Sequence, residues 1–424
     1  MQWRRPFSLL AVCLFLAIAS RGAEAGDGRI TTWITALQAI PQGKDLPALY
    51  QTPEVAGRTV RQIIYPSLGG QEVRLHISNR YGQAPLDILA ARLAQTRGNS
   101  AATRDAGAVV TFNGSRSLHL PPGGEADSDP VRMVLEAGQA YATSLYVGPH
   151  QRMEAWHRVS NQVNYVSTAG DHTAETSNEA YRTRFTHYAW ITSLSVRQPA
   201  AAAGAVLAIG DSITDGLRSS ADLNRRWPDG LVRRLAADGG QRMAVLNAGI
   251  SGNRLLSDSA CYGEKLMVRF ARELGSAPDA ETAIVLIGIN DINFAAMPPH
   301  AGLDCDNPHT QVGADDLIAG YRQLAVLAHH HRVRIIMGTI LPASLPPARE
   351  KIRLTVNTWI RGSKEIDGVI DFDQALRDPA HPADLLATLD SGDHVHPNDR
   401  GYAAMAQSIP LPLLRAAPLS AASE

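Results

Sequence analysis

The chain has 424 residues, too many for one comfortable hydrophobic core, so two domains are expected. Its 40 Lys and Arg nearly cancel 41 Asp and Glu, and a formal net charge of -1 removes the electrostatic case for a nucleic-acid or anionic-membrane partner. Apolar, charged, glycine and proline contents are those of a globular protein, which excludes a fibrous or disordered chain.

Arg4 and Arg5 precede an apolar run from Phe7 to Ala19, and Ala23-Glu24-Ala25 places small residues at the cleavage positions. This predicts a secretory signal peptide over residues 1–25, with Gly26 the first mature residue and a secreted or periplasmic product. The run is too short to span a bilayer. Arg4-Arg5-Pro6-Phe7 leaves twin-arginine export open beside the ordinary route, which paired arginines also fit. Cys13 would leave with the peptide, and Val12 stands where a lipid-anchored cysteine is preceded by a small residue. Cys261 and Cys305 then remain, and two cysteines in an oxidising compartment suggest one disulfide, the alternative being two unbonded thiols. A bridge over a loop of this size would stabilise the fold by at most about 4 kcal/mol.

From Arg29 to Pro199 the chain alternates apolar and polar residues. Val60–Tyr65, Val73–Ile77, Ala108–Phe112, Val131–Leu135, Thr143–Val147 and Val163–Val166 read as short strands between Gly- and Pro-rich turns, which predicts an antiparallel, jelly-roll-like β-sandwich over residues 26–199. Trp156, Tyr165, Tyr181, Tyr188 and Trp190 in this stretch fit its core, or a face on which sugar rings stack. After Ala200–Ala203 the rhythm changes. Ala205–Ile209, Ala244–Asn247, Ala283–Ile287, Arg334–Gly338 and Val369–Asp371 read as buried strands. Helical patterns separate them at Pro228–Ala237, Lys265–Leu274, Ala314–His331 and Glu350–Ser363, and a last one runs from near Asn398 to before Pro410. Such alternation predicts, over residues 200–424, a parallel sheet covered by helices on both faces, with ligands beyond the carboxyl ends of its strands.

Four segments near those ends carry groups suited to acyl transfer: Gly210-Asp211-Ser212-Ile213, Asn247 through Asn253, Gly288-Ile289-Asn290-Asp291 and Asp393-His394-Val395-His396. Ser212 follows the first strand at a turn that can present its hydroxyl; it equally suits a turn or helix cap. A serine needs a base, and Asp393 with His396 on a tight loop supplies an imidazole and the carboxylate that orients it. The same pair also suits a helix start before Pro397 and Asn398, and His394 is a competing base. Gly252 can bring a bare amide to the developing oxyanion and Asn290 can donate from its side chain, whereas Asp291 would repel that charge.

Taken together the four segments resemble those of the SGNH hydrolases, also called the GDSL esterase and lipase family, with Ile213 where the family name has leucine. The resemblance covers about Ala205 to Ile409. It implies an α/β/α, flavodoxin-like domain with a five-stranded parallel sheet. It also implies Ser212 as nucleophile and first oxyanion amide, Gly252 and Asn290 as the other donors, His396 as base, and Asp393 behind it. Tyr65-Pro66-Ser67-Leu68-Gly69-Gly70 and Ser128-Asp129-Pro130-Val131 carry a looser similarity to a two-domain secreted bacterial branch, some members of which act as arylesterases or acetyl esterases in plant-polysaccharide breakdown.

The resulting expectation is an exported serine esterase for small acyl, chiefly acetyl, esters on carbohydrate, working without metal or cofactor. The rivals are a lipase or lysophospholipase, an O-acyltransferase, and a carbohydrate-binding protein with a decayed hydrolase domain. Arg254 is a candidate substrate contact or a structural ion pair. His329-His330-His331 cannot converge on one ion, because successive helical residues point about 100° apart, and they suit a helix C-terminus instead.

Overall fold

The computed structural model describes residues 28–43, 45–198, 204–239 and 242–415. The expected signal peptide at 1–25 and the expected domain junction at 199/200 lie outside them. Among the described residues no helix is long and apolar enough to cross a membrane.

The N-terminal region has two large antiparallel sheets and a small two-stranded one, Gln38–Ala39 with Ala155–Trp156. One large sheet runs Arg29–Ile34, Ile191–Arg197, Gly70–Ser78 and Glu125–Asp127, with Val131–Leu135 also pairing Gly70–Ser78. The other runs Thr183–Phe185, Asn164–Ala169, Arg58–Ile64, Tyr141–Val147, Leu86–Gln95 and Ala108–Val110, with Leu118–Leu120 on Leu86–Gln95. Their facing side chains, among them Val60, Ile64, Val73, Leu75, Ile77, Leu145 and Leu194, form one core, so alternation in sequence becomes inside and outside in space. The ten-residue strand Leu86–Gln95 is absent from the sequence reading because its Leu- and Ala-rich composition favours helix; pairing on both sides overrides that preference. Most predicted strands shift by a few residues, as Val163–Val166 does to Asn164–Ala169.

The C-terminal region is a five-stranded parallel sheet in the order Ala244–Gly249, Ala205–Gly210, Ala280–Leu286, Arg334–Gly338, Gly368–Ile370. Numbered along the chain this is 2-1-3-4-5, so the connection direction reverses beside the first strand and opens a crevice at its carboxyl end. The helices Trp227–Ala237, Leu266–Ser276, Ala314–His330, Pro347–Gly362 and Asp399–Ser408 contribute to the same core as the strands. The strands are mainly apolar and buried because both of their faces are covered. At the end of Ala314–His330, His329 pairs with Asp367 at 2.9 Å.

The two regions are packed together. Ile30, Ile34 and Leu68 join the core of the parallel sheet, and Cys261 joins that of the antiparallel one. The edge strand Ala244–Gly249 is covered by the N-terminal region: Val245 N donates to Ser67 Oγ at 3.1 Å, and Thr31 N donates to Asp279 Oδ2 at 3.0 Å. Tyr81 donates to Glu264 at 2.7 Å, and Gln162 Nε2 and Val163 N both donate to Asp222. A cavity of about 370 Å³ remains between the regions, with Trp33, Tyr65, His157, Asp215, Arg226 and Asn247 on its wall.

Candidate active site

Ser212 opens a one-turn helix, Ser212–Asp215, directly after the first parallel strand. Asp211 caps it, its Oδ1 accepting from Ile213 N at 3.0 Å. The turn is tight: a Cβ on Gly210 would lie 2.0 Å from the Leu286 carbonyl oxygen, so only glycine allows the strand to pass its neighbour here. The N–H of Ser212, as the first residue of that helix, has no intrahelical partner.

Ser212 Oγ lies 2.8 Å from His396 Nε2, and His396 Nδ1 lies 2.9 Å from Asp393 Oδ2. The carboxylate at Nδ1 fixes the proton on that nitrogen and leaves Nε2 as acceptor for the serine proton. Burial alone would raise the Asp393 carboxyl, but the His396 side chain, the His396 N–H and the Val395 N–H outweigh it and hold the group well below the usual carboxylate range. Arg218 Nε adds a donor at 3.0 Å. Asp393 is therefore an anion at any pH near neutral. His394 points elsewhere: its Nδ1 meets Asp390 at 2.8 Å, and its side chain is 70% exposed. Of the two histidines, the structure brings His396 to Ser212.

Gly252 sits in a turn at φ +83° with the Tyr262 ring against it; a Cβ there would fall 2.3 Å from that ring. Among the described residues its N–H has no hydrogen-bond partner. Asn290, 7% exposed, donates one amide hydrogen to Asn253 O at 3.0 Å, which orients the side chain and leaves its second hydrogen free. Asp291, next to it, accepts from Leu255 N and Leu256 N at 2.8 and 3.0 Å and so ties the third segment to the second.

Two groups that hold this arrangement have no signal in the sequence. Arg269, fully buried on the Leu266–Ser276 helix, donates to Gly210 O and Ala248 O at 2.8 Å and to Asn253 Oδ1 at 2.9 Å. One guanidinium thus fastens the ends of the first two strands and the turn after the second. Burial lowers it to about 10, so it stays charged at neutral pH. His157, from the N-terminal region, meets Asp215 at 2.9 Å. The partners of Arg269 are mostly backbone carbonyls, which leave no trace in side-chain spacing.

Arg254 gives its donors to the carbonyls of Asp258, Asp306 and Asn307, which pins the loop carrying Cys305. Cys261 and Cys305 are joined as a disulfide, with Cα atoms 5.2 Å apart, bracing the segments that follow Gly252 and Asn290. Among the described residues no group of three His, Cys, Asp or Glu is arranged to hold a metal ion.

Residues 208–404 match the GDSL-like Lipase/Acylhydrolase family. No curated protein sequence matches the chain. Solved structures similar to it include an acetyl xylan esterase from Geobacillus stearothermophilus (21% identity, 50% of this chain and 95% of that one, TM-score 0.39). A GDSL-like lipase from Bacteroides thetaiotaomicron matches at 19% identity over 50% of this chain and 89% of that one, TM-score 0.36. An alpha/beta hydrolase enzyme from the metagenome of Lake Arreo, Spain, matches at 20% identity over 51% of this chain and 97% of that one, TM-score 0.38. Residues 208–404 are a GDSL-like lipase/acylhydrolase domain, and the chain that carries it is a carboxylic ester hydrolase.

Proposed function

We propose that the protein is an exported serine esterase that removes small acyl groups, chiefly acetyl, from carbohydrate. Residues 1–25 are its signal peptide, 26–199 a β-sandwich domain and 200–424 the hydrolase domain. Ser212 attacks the ester carbonyl while His396 Nε2 takes its proton, and Asp393 stabilises the resulting imidazolium. The oxyanion is received by the N–H groups of Ser212 and Gly252 and by the Asn290 amide. His396 then gives its proton to the leaving alcohol. Water, deprotonated by the same ring, hydrolyses the acyl-enzyme and returns Ser212 to its starting state.

The observation that carries this reading is the unbroken path from the Ser212 hydroxyl through His396 to Asp393, with contacts of 2.8 and 2.9 Å. The printed description of one similar structure as an acetyl xylan esterase suggests the acetyl preference to test, without deciding it. The test is turnover on aryl esters of increasing acyl length and on acetylated polysaccharide, with Ser212→Ala beside the wild type. The wild type should favour acetyl over long acyl chains and release acetate from the polymer. Ser212→Ala should lose about 10³-fold or more in kcat. Wild-type turnover in Ser212→Ala would refute the mechanism. A preference for long chains would make the protein a lipase, and acyl transfer to an added sugar an acyltransferase.

A further inference from the structure

The N-terminal region reaches the proposed oxyanion turn through His157. Its Nδ1 lies 3.0 Å from Ala36 O, and its Nε2 lies 2.9 Å from Asp215 Oδ1 and 3.1 Å from Val159 O. All three partners are oxygens, so both ring nitrogens are engaged and the imidazole is fixed in orientation. On the other side of the carboxyl, Asp215 Oδ2 accepts from Ser251 N at 2.9 Å and from Ser251 Oγ at 2.6 Å. His157, Asp215 and Ser251 are all buried, and the Tyr188 ring stacks beside the imidazole at 6.3 Å. Ser251 is the residue before Gly252.

That sequence of contacts begins in one sheet system and ends in the other. The turn holding Gly252 lies between secondary-structure elements, and its position depends on contacts such as Asn253 N to Ile250 O at 3.0 Å and the two from Ser251 to Asp215. Asp215 ends a one-turn helix, and its buried carboxyl is held by His157 at one oxygen and by Ser251 at the other.

We propose that His157 is a positioning residue for ester hydrolysis: it fixes Asp215, and through it the Ser251-Gly252 turn, so that the Gly252 N–H is already aimed at the place where the oxyanion forms. The β-rich region on this account completes the reaction centre and is not merely an appended binding module. The inference rests on the role given above to Gly252. It does not require His157 to touch substrate.

The test uses the full-length protein and p-nitrophenyl acetate, with His157→Ala, His157→Gln, Ser251→Ala and the His157→Ala/Ser251→Ala double variant. His157→Ala should lower kcat about tenfold or more, because a misaimed donor loses transition-state stabilisation, while KM stays within about twofold. His157→Gln keeps one donor for Asp215 and should recover part of the loss. The double variant should be no slower than the slower single one, since both changes break the same chain of contacts. Ser251→Ala removes only a hydroxyl and leaves the contact between the regions intact, so its kcat loss at wild-type melting temperature tests the proposal even if His157→Ala fails to fold. Wild-type kcat in either single variant, or losses that multiply in the double, overturns the proposal. Ser212→Ala, run in parallel, separates the two readings: turnover there defeats the nucleophile assignment, whereas an inactive Ser212→Ala beside a fully active His157→Ala defeats the positioning role alone.

Discussion

Asp211, one residue before the proposed nucleophile, is 1% exposed, and its Oδ2 has no partner among the described residues. Burial raises its carboxyl to about 7, opposed by the Ile213 N–H and by Arg269 and reinforced by Asp291. The folded chain therefore keeps this proton to about pH 7, whereas the unfolded chain releases it near pH 4. Over that window the folded state binds more protons, so stability falls as pH rises, by about 4 kcal/mol at most from this group. Asp291, raised by burial to about 6, acts in the same direction. Asp211→Asn keeps the helix cap and removes the titration. The difference in melting temperature between pH 4.5 and pH 7.5 should shrink in that variant, and an unchanged difference would contradict the assignment. The carboxyl itself was visible in the sequence as part of the Gly-Asp-Ser turn. Its protonation was not, because the burial that causes it, and the Asp291 charge that adds to it, come from segments elsewhere in the chain.

At the scale of elements, the parallel strands and their helices were readable because an interior strand is apolar on both faces and stands out against amphipathic helices. Arg334–Gly338 appears as predicted, and the helix expected at Ala314–His331 ends at His330. Leu86–Gln95 escaped because its residues favour helix in isolation, and only its partners on either side make it a strand. Arg269 and His157 escaped for another reason: each acts through atoms of segments remote in sequence. The pairing of Cys261 with Cys305 was one of two readings of the cysteine count, and the structure has the bridge. It closes a loop of 44 residues' separation between two segments at the rim. Replacing both cysteines with alanine should lower stability by about 3 to 4 kcal/mol and the melting temperature by about 4 to 9 °C. A scanning-calorimetry trace unchanged by the replacement would show that packing alone holds the rim.

For the whole molecule, the two regions share apolar cores and several buried polar contacts, so neither is finished without the other. A chain beginning at residue 204 would uncover the Ala244–Gly249 edge and strip Cys261 of its neighbours. Naked apolar strand edges template association between copies. Such a fragment should be insoluble or melt without a cooperative transition, as judged by calorimetry and sedimentation. A soluble fragment with full turnover on aryl acetates would refute this. That an antiparallel β-rich region comes before a parallel, helix-covered sheet was legible from the change of periodicity. The depth of contact between the two regions was not, because alternation reports which residues are buried and never what buries them.

The serine and its histidine stand 184 positions apart along the chain. At a synthesis rate of about 5 to 20 residues per second, that gap corresponds to about 10 to 40 seconds on the ribosome. On the proposed mechanism, the nascent chain carries through that interval a hydroxyl with nothing to deprotonate it. Competence to hydrolyse then waits on the loop bearing residue 396.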